Sequence, residues 1–207
     1  MAAVAPKNPR TPPQPLVAQE ADFRDWPEGQ PLVRIHRTTG LNVMPWSALR
    51  EFGPTNSRWD PHPPPQQVHP GIGVMYAAGD ITTAVAEVFQ RTRRVDWTTG
   101  TPHLTIWRPA FLSLLDLTDD WLIRNGASFS LAHGRKDVCR NWARSIHQQI
   151  DAEGLYLNST MTNRPTVVVW RHRQDAFPTY PDLSLPLTHP TVAATIENAA
   201  KSVGYRF

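Results

Sequence analysis

The chain has 207 residues, 40% of them hydrophobic, enough for one domain with a sizeable core and no reason to invoke two. Its 21 basic and 18 acidic residues leave a net charge of +3, which helps to hold an anionic small molecule but is too small to argue for nucleic acid by itself. The single cysteine, Cys139, excludes an intramolecular disulfide and a cysteine-built metal site; with no apolar leader and no run long enough to span a bilayer, a cytoplasmic protein without a membrane segment is expected.

Residues 1–29 are rich in proline and have no sustained period, which predicts an extended or mobile arm before a single domain over 30–207. Leu32, Val33 and Ile35 around Arg34 predict a short first strand. The stretch NSRWDPHPPPQQVHP, Asn56 to Pro70, is a proline-rich loop that cannot pair as a central strand, and it delivers Arg58 and Trp59. GIGVMYAAGDITTAVAEVF, residues 71–89, reads as a buried strand at Val74 and Met75 that turns into a helix capped by Asp80. Ile81, Ala84, Val85, Val88 and Phe89 make one apolar stripe. Glu87 lies roughly 120° away, on a face that periodicity alone leaves to solvent. His103 to Trp107 and Leu112 to Leu117 predict strands. Val138, Cys139, Trp142, Ala143, Ile146 and Ile150 predict a second helix that stops at Gly154. Leu155 to Leu157 and Thr166 to Trp170 predict strands flanking a loop with Ser159, and Val192, Ile196, Ala200 and Val203 predict a last helix closed by Gly204.

The common nucleotide-binding, zinc-protease and hydrolase signatures are absent. His62 and His69 lack the convergent partners of a zinc site, and no metal is expected. Seven tryptophans, Trp46, Trp59, Trp97, Trp107, Trp121, Trp142 and Trp170, read as packing residues, and the arginine pairs Arg93–Arg94 and Arg171/Arg173 as solvated faces. What remains is a set of polar residues at the ends of predicted elements: Arg34, Arg58, Tyr76, Glu87 and Ser159. Taken singly, Tyr76 reads first as a core tyrosine and Ser159 as a turn residue.

Together these five resemble the RES domain family, named for its arginine, glutamate and serine, over about Pro31 to Arg173. Arg34 in LVRIHR matches the family's first-strand arginine. Arg58 in NSRWDP matches its G-R-[FW]-[ND] segment, with Ser57 where glycine is usual. Tyr76 and Glu87 in YAAGDITTAVAEV match its most specific stretch, and Ser159 in GLYLNSTMTNRPTVVVW matches the serine that leads into a strand. The proline loop and the tail after Pro178 depart from the pattern. The resemblance implies an α+β fold like that of the ADP-ribosyltransferases, a mixed β core with peripheral helices, and a cleft for NAD as substrate, with no cofactor. Glu87 would stabilise the cationic ribose, Arg34 and Arg58 would clamp the pyrophosphate, and Tyr76 and Ser159 would contact the nicotinamide end. Implied partners are inorganic phosphate, an Xre-type antitoxin protein and a second copy of the chain in a homodimer. Water, phosphate and a protein side chain all stand as acceptors, and a non-catalytic module binding nucleic acid or protein is the reading from another class.

Overall fold

The computed structural model describes residues 6–41, 43–171 and 176–207; Arg173 lies outside them. Eight strands form one mixed sheet in the order β1 (Phe23–Asp25), β7 (Ser113–Asp116), β8 (Gly154–Asn158), β9 (Pro165–Val169), β5 (Met75–Ala78), β2 (Leu32–Arg37), β6 (Pro102–Trp107) and β10 (Leu183–Pro186). Only β7 and β8 run parallel. A separate two-stranded ribbon joins β3 (Phe52–Gly53) to β4 (Gln67–Val68) at the base of the proline loop.

Helices α1 (Ile81–Val88) and α4 (Pro190–Ser202) pack over Val33, Ile35 and Leu104, and Tyr205 ties them by donating to the Ala86 carbonyl at 3.0 Å. Helix α3 (Lys136–Gln149) and the short α2 (Trp121–Arg124) pack over Leu115, Leu155 and Val168. Both groups use one side of the strands, since Tyr76 and Ala78, two residues apart on β5, project to the same face. Leu32, Met75, Ala77, Val167 and Val169 project to the other face, under Trp107 and Phe177. Trp121, Trp142 and Trp170 are buried, and truncating such a residue to alanine typically costs about 3–5 kcal/mol. No helix among the described residues is long and apolar enough to cross a membrane.

Four local expectations change. The expected mobile arm is held down along much of its described length: the Trp142 indole donates to the Pro9 carbonyl at 2.9 Å, Leu16 N donates to Gln149 Oε1 at 2.8 Å, and β1 pairs with β7. Trp26, omitted from the packing tryptophans, is buried and anchors that segment. Gly154 starts β8 instead of stopping α3, because a Cβ there would lie 2.1 Å from the Val168 carbonyl oxygen of the paired strand. The tail after Pro178 supplies the edge strand β10, paired with β6. Finally, β5 runs from Met75 through the small Ala77 and Ala78 and so starts one residue later than the Val74–Met75 reading.

Candidate functional site

Strands β2 and β5 are paired at a single position, Val33 opposite Ala78, and then part. Consecutive residues from both faces of the pleat, Arg34 to Arg37 and Val74 to Ala77, therefore line the gap between them, which widens into a cavity of about 550 Å³. That is the usual size of a small-molecule site, roughly 300–1,000 Å³. Helix α1 forms one wall with Ala84, Glu87 and Val88, and Lys136, the first residue of α3, stands on another. All five residues selected from the sequence line this one cavity.

The acidic edge is built from α1 and the 159–164 loop. Asp80 sets the phase of α1 by accepting from Thr83 N at 2.9 Å, and the residues it buries are Thr83, Ala84, Val85 and Ala86. Val88, expected in the apolar stripe, is instead 48% exposed at the cavity rim, and half-buried Glu87 faces the cavity. Glu87 Oε1 accepts from Ser159 Oγ at 2.6 Å, and Oε2 accepts from Gln90 Nε2 at 3.1 Å. Ser159 is buried, and its Oγ also accepts from Met161 N at 3.0 Å and Thr162 N at 3.2 Å. Its one proton goes to Glu87 and its lone pairs are occupied, so this hydroxyl orients the carboxylate and has nothing left for a ligand.

The opposite edge is cationic. Arg34 donates from Nη1 to the Trp46 carbonyl at 2.9 Å, and Arg58 from Nε to the Gly134 carbonyl at 3.1 Å. Among the described residues neither has a carboxylate at ion-pair distance, so the rest of each guanidinium fork is available to an anion. Burial, reinforced by the neighbouring Arg50, brings Arg34 down to about 10, which leaves it charged at neutral pH. Arg50 differs: its Nη2 donates to Asp60 Oδ2 at 2.9 Å. Asp60 is fully buried and also accepts from Thr55 N and Thr55 Oγ1, both at 2.8 Å, and meets His62 Nδ1. Burial works to raise the Asp60 carboxyl, but the bonds from His62 and Thr55 and the charge of Arg50 outweigh it and hold the group well below the carboxylate range. His62 donates from Nε2 to the Ile72 carbonyl at 2.7 Å, and its ring lies where a Cβ on Gly53 would stand. The proline loop carrying Arg58 is thus stiffened by a buried hub.

Between the two edges, the Tyr76 hydroxyl is buried, and among the described residues no group completes a well-formed hydrogen bond to it, although Ser57 lies close enough to interact. Burial first, and the Asp60 charge next, push it well above the ordinary tyrosine value, so it is neutral, on a residue that lines the cavity. His36 is brought down to about 4 by burial and by the Arg34 and His103 charges, and is neutral at neutral pH.

Sequence reasoning missed Arg50, Asp60, Gln90 and Lys136. Gln90 was accessible, since three residues after Glu87 is one helical turn away. Asp60 and His62, two residues apart in a stiff proline loop, carried a weaker signal. Arg50 gave none, because it reaches the site through an isolated bridge to Val74.

A family model described as the RES domain matches residues 31–189. Among solved structures, a chain of the crystal structure of the M. tuberculosis MbcT–MbcA toxin–antitoxin complex matches with a TM-score of 0.60 at 19% identity, over 86% of this chain and 92% of that one. At that identity the likeness concerns the fold, and it agrees with the α+β architecture, a mixed β core with peripheral helices, expected from the sequence. No curated protein matches the chain.

Proposed function

The chain belongs to the RES domain family, and from that membership and the geometry of its cavity we propose that it degrades NAD by breaking the nicotinamide–ribose bond. One observation carries this reading: among the described residues, Glu87 is the one carboxylate lining a cavity whose cationic lining groups are Arg34, Arg37, Arg50, Arg58 and Lys136. NAD has the complementary pattern, a cationic nicotinamide riboside end and an anionic pyrophosphate. The unpaired forks of Arg34 and Arg58 suit the pyrophosphate, a bidentate geometry that lysine would not reproduce.

When the bond between the nicotinamide nitrogen and C1′ of the ribose breaks, its electron pair returns to the cationic ring. Nicotinamide leaves neutral and needs no general acid. Positive charge develops on C1′ and the ring oxygen, and the Glu87 carboxylate stabilises it, as in glycoside cleavage. Ser159 holds that carboxylate in place. The Tyr76 hydroxyl, buried and without a strong partner, is available to the nicotinamide or its ribose. An acceptor oxygen then forms the new bond to C1′. Water would lose its proton and give ADP-ribose, whereas phosphate would give a phosphorylated ADP-ribose. The cationic excess around the cavity favours phosphate.

Such an activity is harmful to the cell that makes it, and the fold likeness to a chain of a toxin–antitoxin complex supports a toxin controlled by an antitoxin protein. Leu41 and Val88, 96% and 48% exposed at the cavity rim, offer an apolar surface to that partner. Purified protein is incubated with NAD, with and without phosphate, and the products are identified. Nicotinamide with a phosphorylated ADP-ribose is expected; plain ADP-ribose at a rate indifferent to phosphate replaces phosphorolysis with hydrolysis, and intact NAD overturns the proposal.

A further inference from the structure

Ser159 grips only one oxygen of Glu87, and the terminal torsion of a glutamate is broad, so a single hydrogen bond leaves the carboxylate plane free to turn. The second oxygen is met by Gln90, a residue that no motif marks. We propose that Gln90 is a positioning residue that fixes the Glu87 carboxylate toward the cavity; this rests on the NAD-cleaving reading above. Gln90 Nε2 donates to Glu87 Oε2 at 3.1 Å and to the Glu87 main-chain carbonyl at 2.7 Å, so both amide protons go to the same residue. The amide has only one sensible orientation, since the opposite flip would aim its oxygen at two acceptors. Gln90 also lines the cavity.

The chemistry suits the place. A carboxylate that must stabilise a developing cation keeps its full charge only if its holders are neutral. Ser159 and Gln90 both are, whereas a lysine or arginine at position 90 would orient Glu87 and compensate it at the same time. The competing explanation is a helix cap. Gln90 follows the last turn of α1, and its bond to the Glu87 carbonyl would satisfy one of the open carbonyls there. A cap alone would change stability and leave the rate and its pH dependence as they are.

Gln90→Leu removes both bonds at similar bulk. With NAD, nicotinamide release by this variant should show kcat lower by about five- to twentyfold, in the range of a lost transition-state orienting contact, with KM within about twofold. Gln90→Glu sets a second carboxylate at hydrogen-bond distance from the first, and two such groups cannot both ionise. The acidic limb of its kcat profile should therefore move to higher pH. A ligand-free crystal structure of Gln90→Leu supplies a readout independent of turnover: the Glu87 carboxylate should leave its single orientation. Wild-type kcat and pH profile in both variants, or a Glu87 carboxylate unmoved in the crystal, overturns the inference even if NAD is cleaved. Failure of the wild type to cleave NAD defeats the functional reading instead, and the crystal still decides whether Gln90 positions Glu87.

Discussion

The two edges of the cavity handle charge in opposite ways. At the α1 edge one carboxylate, Glu87, is held by two neutral donors, Ser159 and Gln90. Across the gap, cations of one kind have two fates: Arg50 is compensated by the buried Asp60, while Arg34 and Arg58 donate to main-chain carbonyls and, among the described residues, pair with no carboxylate. A charge matched inside the protein serves the fold, and a charge left unmatched beside a cavity awaits a ligand. Counting basic residues would treat the three arginines alike, whereas their partners separate them.

That contrast can be broken at the hub first. Asp60→Asn leaves the buried His62 and the half-buried Arg50 without their carboxylate, and loss of one partner from a buried pair typically costs about 3–5 kcal/mol. Urea denaturation should register a fall of that order; a change below about 1 kcal/mol would mean that Asp60 is no keystone of the loop. A sharper test compares the arginines. Arg58→Lys keeps the charge and loses the fork, so NAD should bind about tenfold more weakly, some 1.4 kcal/mol, with stability little altered. Arg50→Lys should act mainly on stability, and equal losses of NAD affinity in the two variants, measured by calorimetry, would erase the distinction drawn here. The smallest effect concerns pH. His36 is lowered to about 4 from an ordinary value near 6.5, so the unfolded chain takes up its proton first as pH falls. The contribution of His36 to stability is complete above about pH 6.5 and declines between 6.5 and 4. His103 and His147, also lowered, add to the same slope. Melts of His36→Gln across that window should show a shallower decline than wild type, and an unchanged slope would remove His36 from the cationic edge.

The elements legible in the sequence are those whose signals are local. Asp80 as cap and Ala84 and Val85 beneath it fixed α1, and the three- and four-residue spacing through Cys139, Trp142 and Ile146 fixed α3. All five candidate residues came from short motifs, and they line one cavity. What escaped depends on distant partners. Residues 6–29 look featureless because their order comes from α3 and β7, more than eighty residues downstream. Val88 was misplaced because periodicity defines an apolar stripe and says nothing of where the facing wall ends. Arg50 and the parting of β2 from β5 reflect long-range pairing that no window of sequence contains.

The proposed reaction turns on Glu87, which stabilises a ribosyl cation as nicotinamide leaves NAD. Nicotinamide release from NAD by wild type and by Glu87→Gln, each shown folded by its thermal melt, tests it most directly. Wild type should release nicotinamide, and the variant should lose about 2–4 kcal/mol of transition-state stabilisation, a factor of roughly 30 to 10³ in kcat. Equal release by a folded Glu87→Gln would contradict it.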